Sequence, residues 1–292
     1  MKITDSIRSR QVTISFEVFP PKTTEKYESV YEAAKKIAAL SPSYISVTYG
    51  AGGGRSRFTS ALAGQLQRET GIPVLAHLSC VTSTRTTVRE TIAAYREEGI
   101  ANILALRGDI PEDGQVESDY RYASELVAEL HKEGGFCIGG ACYPEGHIEC
   151  AHKADDIRHL KEKVDAGCEF LTTQMFFDNN IFYNFLYRVR DIGIEVPVIP
   201  GIMPVTTARQ LSRSVAMSGT NVPERFRAIV DRFGDDAQSM KQAGIVYASE
   251  QIVDLIANNV RHIHVYSMNK PDVAEGILRN LSGILGRTYD PC

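Results

Sequence analysis

Glu17 stands in the run Phe16-Glu17-Val18-Phe19-Pro20-Pro21. Apolar neighbours disfavour an ionised carboxylate when a site is dry, so this residue is a candidate general acid. The plainer alternative is a surface glutamate at the end of a strand. Arg107-Gly108-Asp109 is the second feature of interest. Gly108 lets backbone approach a ligand closely, and Asp109 projects with the same parity as Arg107. Those two charges either pair with each other or leave Asp109 facing a ligand. At about 4 Å and an effective dielectric near 20, a carboxylate attracts a unit cation by roughly 4 kcal/mol, enough to matter for a charged transition state.

Other motifs read as structure. Gly50-Ala51-Gly52-Gly53-Gly54-Arg55 resembles a phosphate loop, but Arg55 occupies the last glycine position of G-x-G-x-x-G and no G-K-[ST] follows. A loop that admits a ligand fits better. Cys142, His147, Cys150 and His152 match no standard zinc spacing, and no metal is expected. His262 and His264, two apart on one strand, read as hydrogen-bonded interior residues. Phe176, Phe177 and the group Phe182, Tyr183, Phe185 and Tyr187 read as packing of a helix on the sheet, with stacking on a planar ligand as the lesser alternative.

The elements that must position these residues alternate regularly. Eight β-rich runs, Val12–Val18, Tyr44–Thr48, Pro73–Ser79, Asn102–Arg107, Phe136–Tyr143, Glu169–Met175, Val196–Ile202 and His262–Met268, are separated by amphipathic stretches at Glu25–Leu40, Arg57–Thr70, Thr86–Gly99, Asp119–Glu133, Ala154–Ala166 and Asn180–Ile192. Such alternation calls for parallel strands with crossover helices, and eight repeats predict a closed (β/α)8 TIM barrel. The longest gap, with patterns at Pro223–Phe233 and Asp235–Asn259, predicts one or two extra helices between strands 7 and 8. Side chains alternate across a strand, so Val12, Ile14, Phe16 and Val18 share one face, with Thr13, Ser15 and Glu17 on the other. The second, third, sixth and eighth strands repeat the pattern. In a barrel the apolar row lies under the helices and the other row forms a small polar interior. Glu17, Thr48, His77, Arg107, Asp109, Tyr143 and Gln174 then fall at or just past the C-terminal strand ends, where barrel enzymes carry their chemistry.

The whole chain bounds the reading. Its 292 residues fit one large barrel domain spanning 1–292, with no linker in view. A formal net charge of −4 offers no basic field for nucleic acid or an anionic membrane. No run of about 20 apolar residues exists to span a bilayer. The six cysteines include no C-x-x-C pair and the start lacks a signal-peptide run, so reduced thiols in a cytoplasm are expected.

Seven motifs in order resemble the methylenetetrahydrofolate reductase family in its bacterial single-domain form. They are Ser15-Phe16-Glu17-Val18-Phe19-Pro20-Pro21-Lys22, Ser46-Val47-Thr48-Tyr49-Gly50-Ala51, Ala105-Leu106-Arg107-Gly108-Asp109, Tyr143-Pro144-Glu145-Gly146-His147, Lys163-Val164-Asp165-Ala166-Gly167, Thr173-Gln174-Met175-Phe176-Phe177-Asp178 and Pro200-Gly201-Ile202-Met203-Pro204. The resemblance implies a (β/α)8 barrel with non-covalent FAD, reducing 5,10-methylenetetrahydrofolate to 5-methyltetrahydrofolate in one-carbon metabolism and methionine biosynthesis. It implies that Glu17 protonates folate N10 as the ring opens, giving an iminium cation that takes hydride, with Asp109 favouring that cation. By the same resemblance Thr48, Tyr49, Ala51, His77, Arg107, Gly108, Asp109, Ala123, Tyr143, His147, Asp156 and Lys163 hold FAD. Gln174, Gln210 and Lys270 face folate together with Glu17 and Asp109. The implied electron donor is NADH, NADPH or a partner subunit, and the implied assembly a homo-oligomer or hetero-complex. Three positions depart from the pattern: His159 and Glu162, where relatives place an amide and a basic residue toward the cofactor, and Ser214, where some place a phenylalanine. A barrel lyase without flavin, and a folate- or flavin-binding subunit that is non-catalytic or partner-dependent, are the alternatives.

Overall fold

The computed structural model describes residues 1–8, 11–49, 56–110 and 118–287. Nine parallel strand segments follow one another: β1 (Thr13–Val18), β2 (Ile45–Val47), β3 (Val74–Ser79), β4 (Asn102–Leu106), β5 (Cys137–Cys142), β6 (Phe170–Thr173), β7 (Val198–Ile199), β8 (Gly201–Ile202) and β9 (His262–Val265). Each of the eight predicted runs contains strand, and the seventh is split. Proline has no N–H to give to a ladder, and Pro200 divides that run so that β7 pairs with β6 while β8 pairs with β9. The hydrogen-bonded order β7-β6-β5-β4-β3-β2-β1-β9-β8 therefore ends on two segments one residue apart, and the sheet closes into a barrel. The Pro200 carbonyl accepts from His264 N at 2.9 Å across the seam. A side chain at Gly201 would strike the Thr173 carbonyl and the Tyr266 ring, so the closure needs a glycine there.

The helices are α1 (Ile3–Ile7), α2 (Tyr27–Ala39), α3 (Ser56–Thr70), α4 (Arg85–Glu97), α5 (Ala123–Glu133), α6 (Lys153–Asp165), α7 (Asn179–Asp191), α8 (Ala208–Ser218), α9 (Glu224–Phe233), α10 (Ala237–Ala257) and α11 (Pro271–Asn280). Strand parity decides what they cover. Ile14, Phe16, Val18, Ile45, Val47, Val74, Ala76 and Leu78 face outward and pack with Ile37, Leu62, Val88, Leu126, Phe182 and Ile252 in one core, while Ser15, Glu17, Ser46, His77 and His264 are buried on the inward side. The long gap holds α8, α9 and α10, gathered on Met175, Phe177, Val205, Leu211, Phe226, Met240 and Tyr247. Tyr187 departs from its expected packing role and is 75% exposed. No helix among the described residues is long and apolar enough to cross a membrane.

The interior corrects the expectation of a wholly polar lumen. Tyr44, Leu75, Leu104, Cys137, Phe170 and Ile199 form an apolar plug toward the N-terminal strand ends, and Ile3 and Ile7 of α1 close it from below. Asn102 ties the two together, accepting from Ile3 N at 2.8 Å and donating to the Val74 carbonyl at 3.1 Å. A Cβ on Gly139 would collide with the Phe170 ring, so the missing side chain on β5 is what lets the phenylalanine of β6 fill the barrel. Phe170→Ala is expected to cost about 3–5 kcal/mol, read as a lowered urea midpoint at unchanged slope.

Candidate active site

Above the plug the barrel opens into a cavity of about 1210 Å³ at the C-terminal strand ends. That exceeds the roughly 300–1,000 Å³ of ordinary ligand pockets. Glu17, Thr48, Tyr49, His77, Arg107, Gly108, Asp109, Ala123, Tyr143, His147, Asp156, Lys163 and Gln174 all line it. Ala51 lies outside the described residues. Gln210 and Lys270 are not among the residues lining it and form a separate group. Lys270 Nζ donates to Thr206 Oγ1 at 2.6 Å, and Thr206 N and Oγ1 donate to Gln210 Oε1 at 3.0 and 3.1 Å.

Glu17 is the most enclosed carboxyl of the cavity, with the residue 7% exposed. Its position near the end of β1 points it inward, where Ser46 of β2, His77 of β3 and His264 of β9 surround it. Ser46 Oγ lies 3.4 Å from Glu17 Oε2, and the Nε2 atoms of His77 and His264 both lie 3.7 Å away. Burial pushes His77 down to about 4, Glu17 countering and His264 adding to the effect, so the ring is neutral at pH 7 and no ion pair forms with Glu17. Its Nε2 has no hydrogen-bond partner among the described residues, and neither has Thr172 Oγ1. Both belong to residues lining the cavity. A depressed histidine destabilises the fold in acid, because the unfolded chain binds a proton that the folded chain refuses. Stability is thus full above pH 6.5 and falls by roughly 3 kcal/mol as the pH drops to about 4. Urea titrations across that window should show a shallower fall for His77→Gln than for the parent.

Asp109 differs in every respect. It sits just past β4, is exposed, and has no hydrogen bond or ion pair among the described residues. Arg107 is instead held by Glu149, through Nη1 to Oε2 at 2.5 Å and Nη2 to Oε1 at 2.8 Å. The internal Arg107–Asp109 bridge considered from sequence is therefore absent, because the bidentate fork is satisfied by a carboxylate from the loop after β5. Gly108 has φ +89 and a Cβ there would strike Ser79 Oγ, which fixes this corner to glycine.

The far arm of the cavity is partly desolvated. Burial lowers Lys163, whose Nζ donates to the Ala141 carbonyl at 2.7 Å. Burial also raises Asp156, and lowers His147 with help from the Arg107 cation. Tyr143 is pushed up to about 12, first by burial and then by Asp109. His159 stacks on Tyr122 with centroids 6.2 Å apart, and Glu162 is exposed beside it; both line the cavity. Ser214 donates to Met203 Sδ at 3.4 Å. Of the four Cys and His residues that match no zinc spacing, His147 packs edge-on against Tyr143 and Cys150 Sγ donates to the His152 carbonyl at 3.3 Å. His264 and His262 are hydrogen-bonded as expected, to Ser15 and Thr13 respectively. Sequence reasoning did not single out Ser46, Thr172, Glu149 or Tyr266. The inward parity of Ser46 and Thr172 was the available signal.

A closed parallel barrel with a buried carboxyl and an exposed carboxylate in one cavity at its C-terminal mouth has the architecture of a barrel enzyme. A family model for methylenetetrahydrofolate reductase matches residues 2–282, and the chain belongs to that oxidoreductase family. The 5,10-methylenetetrahydrofolate reductase of Pectobacterium carotovorum subsp. carotovorum is 34% identical over 271 residues, covering 93% of this chain and 90% of that one. The Escherichia coli (strain K12) protein of the same name is 34% identical, with 93% and 91% covered. Methylenetetrahydrofolate reductase (NADH) 1 of Arabidopsis thaliana is also 34% identical, and there the match covers 96% of this chain but 51% of the longer relative. Among solved structures, an uncharacterized protein from Clostridium thermocellum that binds two copies of 5-methyl-5,6,7,8-tetrahydrofolic acid superposes with a TM-score of 0.68 at 15% identity, over 97% of this chain and 99% of that one. That likeness is one of fold.

Proposed function

We propose that this single-domain barrel reduces 5,10-methylenetetrahydrofolate to 5-methyltetrahydrofolate with FAD as its cofactor and Glu17 as general acid. The observation that carries the reading is that, of the carboxyl groups lining the cavity, Glu17 and Asp109 stand in opposite settings, one walled in by Ser46 and two histidines and one open to the mouth. Two carboxyls in unlike environments are suited to unlike roles.

The residues present fit a flavin dinucleotide. The volume accommodates a dinucleotide with a second planar molecule, and the orphaned Thr172 Oγ1 and His77 Nε2 are buried polar atoms awaiting partners. Arg107 and Lys163 would answer a pyrophosphate, while Thr48, Tyr49, His77, Gly108, Ala123, Tyr143, His147 and Asp156 would complete the cradle, with Ala51 added by resemblance. FAD supplies hydride transfer when bound. Glu17 delivers its proton to N10 of the folate as the one-carbon ring opens. Asp109, unpaired among the described residues, favours the cation that results. Gln174 hydrogen-bonds the pterin. Gln210 and Lys270, linked through Thr206, would hold the distal part of the folate, and Lys270 is the group there able to answer a carboxylate.

Purified protein should be yellow. An anaerobic titration with NADH, NADPH and reduced ferredoxin, followed by methylenetetrahydrofolate, should bleach and then restore the flavin spectrum and identify the donor, including any partner subunit. Colourless protein that stays colourless after reconstitution with FAD would refute the flavin reading. Free thiols at Cys80, Cys137, Cys142, Cys150 and Cys168 support a reducing, cytoplasmic setting.

A further inference from the structure

A guanidinium grips a phosphate most firmly along an edge that offers two parallel N–H groups. Arg107 has no such edge free. Its Nη1 and Nη2 each donate to one oxygen of Glu149, at 2.5 and 2.8 Å, and its Nε donates to the Gly108 carbonyl at 3.1 Å. The first pair of bonds covers the end of the fork, and the third takes Nε out of its side. A carboxylate of the protein therefore fills the place that an anionic ligand at Arg107 would take.

The remaining cations of the cavity offer no substitute. Among the described residues, Arg121 and Lys163 are the other arginine and lysine on the lining. Arg121 lies exposed over the Tyr122 ring, 5.2 Å from its centroid. Lys163 gives a hydrogen to the Ala141 carbonyl at 2.7 Å, and an ammonium has no fork.

Glu149 is placed to let go. Its side chain is 45% exposed against 21% for Arg107, so water can take the carboxylate on release while the guanidinium stays in the lining and needs a new partner. The segment that carries it is held by bonds in which this carboxylate has no part. Glu149 N donates to His147 Nδ1 at 3.2 Å, Cys150 N to the His147 carbonyl at 2.9 Å, and Asn221 N to both oxygens of Glu145 at 3.1 Å. The side chain can leave without unfastening its loop.

We propose that Glu149 is a positioning residue that keeps the Arg107 fork formed and occupied until a diphosphate displaces it, so that this carboxylate sets how tightly the cavity holds a diphosphate ester. The inference rests on the assignment of Arg107 to a pyrophosphate above and deepens it. Glu149 acts through Arg107 and takes no part in the reaction.

Calorimetric titration of the full chain, freed of flavin by dialysis, with FAD, ADP and riboflavin tests this without turnover. Glu149→Gln should tighten FAD and ADP about tenfold and leave riboflavin, which has no phosphate, at the parent affinity. Glu149→Asp, shorter by one methylene, should shift both diphosphates the same way by less, and carries the test if Glu149→Gln does not fold. In an Arg107→Gln background the second substitution should gain little, because the contested fork is gone. A tenfold gain there as well would reduce the effect to plain repulsion of anions and overturn the proposal. Weaker FAD and ADP in Glu149→Gln, equal tightening of riboflavin, or no diphosphate bound by parent or variant would also overturn it. Tighter ADP in a protein that takes up no FAD would uphold the role of Glu149 and refute the flavin reading instead.

Discussion

Glu17→Gln is expected to slow reduction of methylenetetrahydrofolate by a factor of about 100 to 10,000, the usual contribution of a positioned general acid, while retaining the proposed flavin and its reduction by the donor. The substitution is nearly isosteric. It leaves Ser46, His77 and His264 around a side chain of the same length, and the amide oxygen can still accept from Ser46. What it removes is the acidic proton that the proposed role requires when the folate ring opens. Stopped-flow spectroscopy separates the two half-reactions, since bleaching of the flavin by the donor and its return with folate are seen at the same wavelength. A folate half-reaction as fast as that of the parent would strip Glu17 of the role. A loss in both half-reactions would instead point to disturbed flavin binding.

The sequence made the inward residues legible because strand alternation is a rigid geometric rule. Once Ile14, Phe16 and Val18 are assigned to the helix side, Ser15 and Glu17 have nowhere to go but inward. The same rule led to His77 and His264. It fails where packing is decided by partners far along the chain. Phe170 has inward parity like Thr172, yet it fills the lumen because Gly139 on the neighbouring strand has no side chain. Helix α1 is too short to show a period of its own, and Ile3 and Ile7 become meaningful only as the floor of the barrel. Arg107 paired with Glu149 rather than Asp109 because the loop after β5 returns across the mouth, and nothing local to Arg107-Gly108-Asp109 encodes that return. The split at Pro200 is the opposite case: proline's missing donor was in view, but its consequence required knowing that β6 and β9 flank the same run.

Gly244 has no chemistry of its own, yet it packs against the segment that carries the group proposed to hold the distal part of the folate. It lies inside the helical pattern Asp235–Asn259, where a glycine ordinarily only weakens a helix. In the fold α10 passes so close to the segment before α8 that a Cβ on Gly244 would collide with the backbone carbonyl of Val205. A flexible side chain could swing away from such a clash, but a carbonyl moves only with its chain. Val205 is followed by Thr206, the residue that joins Lys270 to Gln210, so the displacement passes directly to that group. Gly244→Ala should therefore cost about 1–3 kcal/mol of stability through overpacking. It should also raise KM for the folate about tenfold, equivalent to roughly 1.4 kcal/mol of binding. Flavin affinity should stay near the parent value, because Arg107, Tyr143 and Lys163 lie on the β4 to α6 side of the cavity. Urea unfolding, steady-state kinetics and flavin titration on the same preparation separate these effects. A destabilised protein whose KM for folate is unchanged would show that this group absorbs the shift, and would remove Thr206, Gln210 and Lys270 from the substrate site.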